Sequence, residues 1–233
     1  MNPASHRLAL LAVLILTAGI YAPLLGGFWL GDDLTNLYGA HRWAEDADWL
    51  ALLHKQFFEG VSEGGGFFRP GIILSLYANY LLAGTHYWGW WLPNLLVHLA
   101  NGILIWCLLR RLSEHAVAHL RPADGVHVSR WQLGATALFL FSPFSAEAVA
   151  WVSARSDLWV TFFSLLGLLA WWGPGSTRRA SALRIWALFP CLLLALMFKE
   201  SAVLLPLQLG LLWLTTPRLR DFHRSLSLFF AFL

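Results

Sequence analysis

The segment GGFWLGDDLTNL, Gly26 to Leu37, places Asp32 beside Asp33 directly after an apolar run long enough to cross a bilayer. Two adjacent carboxylates at a membrane surface must be solvated, paired or put to use. Put to use, a carboxylate there can take the proton of an attacking hydroxyl. Charge also collects at two other points. SPFSAEAVAWVSARSDL, Ser142 to Leu158, carries Glu147, Arg155 and Asp157, and FKES, Phe198 to Ser201, carries Lys199 and Glu200. Charged groups at membrane depth are costly unless paired or facing water, so these five imply a polar cavity open to one side. Any one of them is equally well an ordinary loop charge or half of an internal ion pair. Taken together with the aspartate pair, they favour a functional site. Asn94, His98 and Asn101 fall at i, i+4 and i+7 of NLLVHLANGILIW, one helix face. Such a stripe serves as interhelical hydrogen-bonding glue more often than as a ligand. His115 and His119 in HAVAH have metal-ligand spacing but no third partner in the basic loop that holds them.

The elements that must position these groups are membrane helices. Of 233 residues 58% are hydrophobic and only 12% charged, against about 25% charged in soluble domains. A net charge of +3 gives no reason to expect nucleic acid. Cys107 and Cys191 both lie in apolar runs and read as small hydrophobes, not as a disulfide. The N-terminal run, Leu8 to Leu25, lacks a clean small-x-small cleavage site and reads as an uncleaved first span. Further spans are expected at Trp90 to Leu109, Trp131 to Ala146, Leu158 to Trp172, Ile185 to Phe198 and Ser201 to Thr216, with a last run from Leu226 stopping at Leu233. The fold class is therefore all-α: a polytopic membrane protein of about six complete transmembrane helices plus a truncated seventh. Residues 1–233 form a single, incomplete transmembrane domain, and residues 26–89 an external loop with amphipathic interfacial helices.

Pro70 to Gly84 reaches only roughly 22 Å, short of the hydrocarbon thickness. If it does not span, eleven basic residues fall on the N-terminal side and five outside, among them Arg69, Arg155 and Lys199. If it spans, nearly all the Arg-rich loops move outside, against the positive-inside rule. It is accordingly placed as an interfacial helix on the outer face, with HYWGWW, His86 to Trp91, at the headgroup level. Ten of the thirteen acidic residues then lie outside. The two hairpin arms flanking the charged tips are about 14 to 16 residues long, or roughly 21 to 24 Å, so the tips should sit recessed below the outer surface.

The acidic pair in the first outer loop, FRP at Phe68 to Pro70, the NLLVHLAN stripe, SPFSAEAVAWVSARSDLW at Ser142 to Trp159 and Lys199 together resemble the GT-C type of membrane glycosyltransferase. They are most similar to the branch containing the transmembrane and tetratricopeptide-repeat O-mannosyltransferases and their bacterial relatives. The resemblance implies a polyprenyl- or dolichyl-phosphate sugar as donor, and a protein Ser/Thr or glycan or lipid hydroxyl as acceptor. It covers essentially the whole chain, although no tetratricopeptide array follows. In that chemistry the attacking hydroxyl loses a proton and the leaving phosphate has its charge stabilised. Asp32 is the expected general base, with Asp33 supporting it or exchanging roles, unless one of them caps the following helix. Arg155 and Lys199 would hold the lipid phosphate, with Arg69 in a weaker role. Asp157, Glu147 and Glu200 would orient those cations or meet sugar hydroxyls, with His98 as a further orienting candidate. No cofactor is firmly implied; a divalent cation at the acidic pair is compatible with the residues but not demanded by them. The excess of Arg over Lys points to a bacterial inner membrane with the site facing the periplasm, or, in a eukaryote, to a lumenal site in the endoplasmic reticulum. A multi-pass transporter and a non-catalytic lipid-binding or assembly subunit are the competing readings, although no internal repeat is visible and the charges collect at one face instead of the midplane.

Overall fold

A computed structural model describes residues 3–46, 48–57, 67–117, 125–171 and 178–215. Among them the regular elements are helical: α1 (Pro3–Tyr21), α2 (Asp32–Asp46), α3 (Pro70–Ala83), α4 (Tyr87–Val117), α5 (Gly125–Leu140), α6 (Pro143–Ala150), α7 (Arg155–Trp171), α8 (Arg178–Phe198) and α9 (Leu204–Thr215). Short 3₁₀ turns at Ala22–Gly26, Ala51–Leu53, Val152–Ala154 and Glu200–Val203 lie between them. The chain is an integral membrane protein: Ala4–Gly26, Tyr87–Ser113 and Val152–Trp171 are each long and apolar enough to cross a bilayer. Pro70–Ala83, Trp186–Phe198 and Glu200–Leu211 are shorter apolar helices. The last expected run, from Leu226, lies outside the described residues, as do His119, Glu59, Glu63 and the run of three glycines before Phe67.

Two expectations are corrected. The anticipated span Trp131 to Ala146 is not one straight helix but a pair, Arg130–Leu140 and Pro143–Ala150, bent by 51°. Pro143 has no amide hydrogen to continue the helical ladder, and it holds Ser142 extended at φ −61°, ψ 127°. A proline is instead well placed at the first turn of a new helix, and α6 begins there. The second correction concerns HYWGWW. Trp88 is half-exposed, but Trp90 and Trp91 are buried, and the Trp90 indole donates to the Gly84 carbonyl at 2.8 Å. These two rings build the core instead of lining a headgroup belt.

α2 is amphipathic in the expected way. Asp33, Asn36, Ala40 and Trp43 share its buried face, and Leu34 and Tyr38 its exposed one. That buried face packs on α3, whose Ile72, Ile73 and Leu76 join Trp43, Leu52, Phe57, Trp90, Val152 and Phe198 in one apolar cluster. α3 is thus a wedge between α2 and the ends of α4 and α8. Its close approach to α8 depends on Gly71. A β-carbon there would lie 2.9 Å from the Met197 carbonyl oxygen and 2.8 Å from the Phe198 ring. We predict that Gly71→Ala destabilises the protein by about 1–3 kcal/mol. Gly19→Ala, on an α1 face with open space around it, should leave stability within about 0.5 kcal/mol. Thermal unfolding in detergent compares the two.

Candidate active site

The start of α2 is held by α7's leading turn. Gly31, at φ +50°, turns the chain into α2. Asp33 then reaches back to accept the Leu30 amide at 3.2 Å through Oδ2. Its Oδ1 accepts both the amide (2.9 Å) and the hydroxyl (2.7 Å) of Ser153. Because that hydroxyl spends its proton on Asp33, its lone pair is free to accept Asn36 Nδ2 at 2.7 Å. The Trp151 indole donates to the Leu30 carbonyl at 3.2 Å. Asp33 is only 1% exposed, and a buried carboxylate needs such partners. Asp32, one residue earlier, is exposed. Adjacent residues point different ways, and here one aspartate anchors the turn while the other faces solvent.

Arg155 is not where a phosphate could reach it. Only 1% exposed, it donates from Nε to Val152 O (3.2 Å), from Nη1 to Asn79 Oδ1 (2.6 Å) and from Nη2 to Trp90 O (3.0 Å). Asn79 in turn donates to the Gly89 carbonyl at 2.6 Å. The guanidinium thus ties α3, the first turn of α4 and α7 together, close enough to Asp33 to interact with its charge. Its geometry is that of a positioning residue, which corrects the lipid-phosphate role expected of it. His98 is corrected likewise. It is fully buried, its Nε2–H donates to the Leu140 carbonyl at 3.1 Å, and it packs edge-on to Tyr21 and tilted against Phe139. Asn94 donates to the Trp151 carbonyl at 3.3 Å and Asn101 to the Leu158 carbonyl at 3.0 Å. The stripe on α4 is interhelical glue that holds the bent α5–α6 pair and α7.

The remaining cations lie at the other side of α7's start. Lys199 Nζ donates to Asp157 Oδ1 at 2.5 Å. Arg69 grips Glu200 in a fork, Nη2 to Oε1 at 2.7 Å and Nε to Oε2 at 3.1 Å, with its guanidinium 4.6 Å from the centre of the Phe67 ring. Both carboxylates are more than half exposed, whereas Arg69 and Lys199 are 14% and 27% exposed. The hydrogen bond from Arg69 holds the Glu200 carboxyl below its ordinary range. Below this tip an open apolar groove of about 520 Å³ runs between α7, α9 and α4, lined by Val160, Leu165, Leu204, Leu205 and Leu108. Thr161 and Ser201 also line it, one helical turn past Asp157 and directly after Glu200. From Val160 to Leu168 the groove follows α7 for roughly 12 Å. Glu147 is exposed on α6. Among the described residues no group of three or more His, Cys, Asp or Glu is placed to share a metal ion.

Two separate polar contacts thus lie at the start of α7: Ser153 fastens α2 through Asp33, and Asp157, about 6 Å of helical rise later, fastens Lys199. The sequence reading missed Ser153, Asn36 and Asn79. Asn36 carried a signal, since it stands three residues after Asp33 on the same helix face.

Comparison with known proteins points the same way. The chain is 27% identical over 191 residues to Protein O-mannosyl-transferase TMTC2 of Mus musculus, covering 79% of this chain and 21% of the relative. It is 30% identical over 193 residues to Protein O-mannosyl-transferase Tmtc2 of Drosophila melanogaster, covering 79% and 19%. To Protein O-mannosyl-transferase Tmtc3 of the same species it is 28% identical over 149 residues, 58% of this chain and 16% of the relative. The chain resembles the protein O-mannosyltransferases. It spans about a fifth of the length of the curated relatives it matches. No family model and no solved structure matches it.

Two outcomes follow from these contacts. Ser153→Ala leaves a buried carboxylate oxygen and the Asn36 amide short of a partner, which should cost about 1–3 kcal/mol in thermal unfolding. Because the folded-state pKa of Glu200 is lowered, the Arg69–Glu200 tie stabilises the protein at pH above the ordinary carboxylate value and is lost as pH falls through the lowered one. The melting temperature of Glu200→Gln should accordingly change less with pH than that of the wild type across this acidic range.

Proposed function

We propose that this chain carries the catalytic site of a membrane glycosyltransferase. It moves a hexose, in line with its relatives' names a mannose, from a polyprenyl-phosphate carrier to a hydroxyl of a protein Ser/Thr or a glycan, on the extracytoplasmic face. One observation supports this reading above the others: Lys199 and the Arg69-bound Glu200 directly precede Ser201, which lines a largely apolar groove along α7, and the turn leading into α7 holds Asp33, the neighbour of the exposed Asp32. A prenyl chain suits the groove, and its phosphate, leaving the groove at the tip, meets Lys199 and Arg69.

In the transfer, Asp32 takes the acceptor's hydroxyl proton as the oxygen attacks the sugar's anomeric carbon, and the carbon–oxygen bond to phosphate breaks. Lys199 and Arg69 stabilise the charge that develops on the departing phosphate. Asp33, already saturated by hydrogen bonds, positions Asp32 through the Leu30–Asp33 turn, and Arg155 positions α7 against α3 and α4. Glu147 is exposed and free to accept from sugar hydroxyls, while Asp157 and Glu200 hold the two cations. The Arg-rich loops favour a site outside the cytoplasm, at the periplasmic face of a bacterial inner membrane or the lumenal face of the endoplasmic reticulum. In the full membrane arrangement the three shorter apolar helices join the long ones, α8 and α9 as recessed spans and α3 on the outer face.

Asp32→Asn should reduce transfer about 10²- to 10⁴-fold with unfolding unchanged, whereas Asp33→Asn should lower the melting temperature. Lys199→Gln should raise the KM for the lipid donor. Assays with a short-chain prenyl-phosphate mannose in nanodiscs read all three. Transfer at wild-type rate by folded Asp32→Asn would refute the base assignment.

A further inference from the structure

Arg69 and Lys199, beside the groove-lining Ser201 in the same tip, are each matched by a carboxylate, so Arg69, Lys199, Asp157 and Glu200 carry no net charge as a set. A site built only to hold an anion would leave the cations unopposed. The pairing has a chemical consequence because the carrier changes charge in the reaction, and this step rests on the lipid-phosphate reading above. Before transfer the carrier is a phosphodiester with one negative charge. Transfer forms a bond from the acceptor oxygen to the sugar carbon, and the carbon–oxygen bond to phosphate breaks with its electron pair left on the phosphate. Asp32 gains the acceptor's proton. The released lipid is a phosphomonoester whose second acidity lies near pH 6, so near neutrality it carries close to two charges.

Two buried, unopposed cations would bind that product far more tightly than the donor and retain it. We propose that Asp157 and Glu200 are release-tuning counter-ions: they offset Lys199 and Arg69 so that the dianionic product does not outcompete the monoanionic donor. Their exposure supports this. Both are more than half accessible at the mouth while the cations they face are largely covered, so an arriving phosphate meets the carboxylates at the rim. The two ion pairs also fasten different elements, Arg69 at the start of α3 and Lys199 at the end of α8, to one tip. The pairs therefore share one charge balance but can be perturbed separately.

The test needs no knowledge of the sugar. Farnesyl phosphate, a monoester, and methyl farnesyl phosphate, a diester, have the same tail and differ mainly in headgroup charge. Binding of each to the protein in nanodiscs is measured at pH 7.5 for the wild type, Asp157→Asn and Glu200→Gln. Each amide variant keeps the shape of its side chain and removes one charge, which should raise the monoester-over-diester preference roughly tenfold, the effect of one unit charge a few ångströms away in a half-solvated mouth. An unchanged or reduced preference in a variant that still binds the diester overturns the proposal and leaves the lipid-phosphate reading standing. Absence of saturable binding of either lipid to the wild type overturns both. Thermal unfolding confirms that each variant is folded, and either one alone carries the test if the other is not.

Discussion

The arrangement depends on one buried carboxylate. Asp33 lies out of water beside the leading turn of a transmembrane helix, and a charge in that position survives only with several donors aimed at it. Ser153 supplies two of these and the Leu30 amide a third. The same bonds join residues about 120 positions apart in sequence, so meeting the needs of one charge also fixes where the outer cap sits on the helical bundle. Arg155 repeats the principle two residues later. Its three nitrogens reach a side-chain oxygen on α3 and backbone carbonyls from two other places, and the cation that a surface view would assign to a ligand instead locks three elements together.

This network gives the exposed neighbours a rigid mount. Side chains that act on a substrate need a placement good to fractions of an ångström, and loops alone rarely give it. Here Asp32 extends from a turn closed by Gly31, capped by Asp33 and pinned by the Trp151 indole. Lys199 and Arg69 extend from the ends of α8 and the segment before α3, each held by an acidic partner. Charged groups are thus concentrated at one end of α7, while the groove along its side is mostly apolar. A molecule with a charged head and a long apolar tail matches that division.

The membrane portion shows how a local rule redirects a global pattern. By hydropathy, Trp131 to Ala146 reads as one span, yet Pro143 divides it and turns α6 aside. The bend delivers Trp151 and Ser153 to α2. A straight helix would carry the chain past the aspartates, so the proline-imposed break is part of how the site is assembled.

Much of this was legible in the residues alone. Hydropathy and length identified a helical membrane protein, and the acidic pair, the SARSD segment and the KE tip marked where charge would gather. The bland account of the Asn94–His98–Asn101 stripe follows from helical periodicity in the same way. What sequence could not decide was which charges are used up internally. Asp32 and Asp33 have the same chemistry, as do Arg155 and Arg69 as donors, and they differ only in what lies next to them in space. Burial of Asp33 and Arg155 comes from partners contributed by Ser153, Asn79 and the Trp90 carbonyl, none adjacent in the chain except through the fold. Periodicity and composition report local and averaged forces, whereas the desolvation that separates an anchor from a reactive group is a property of the packed tertiary structure.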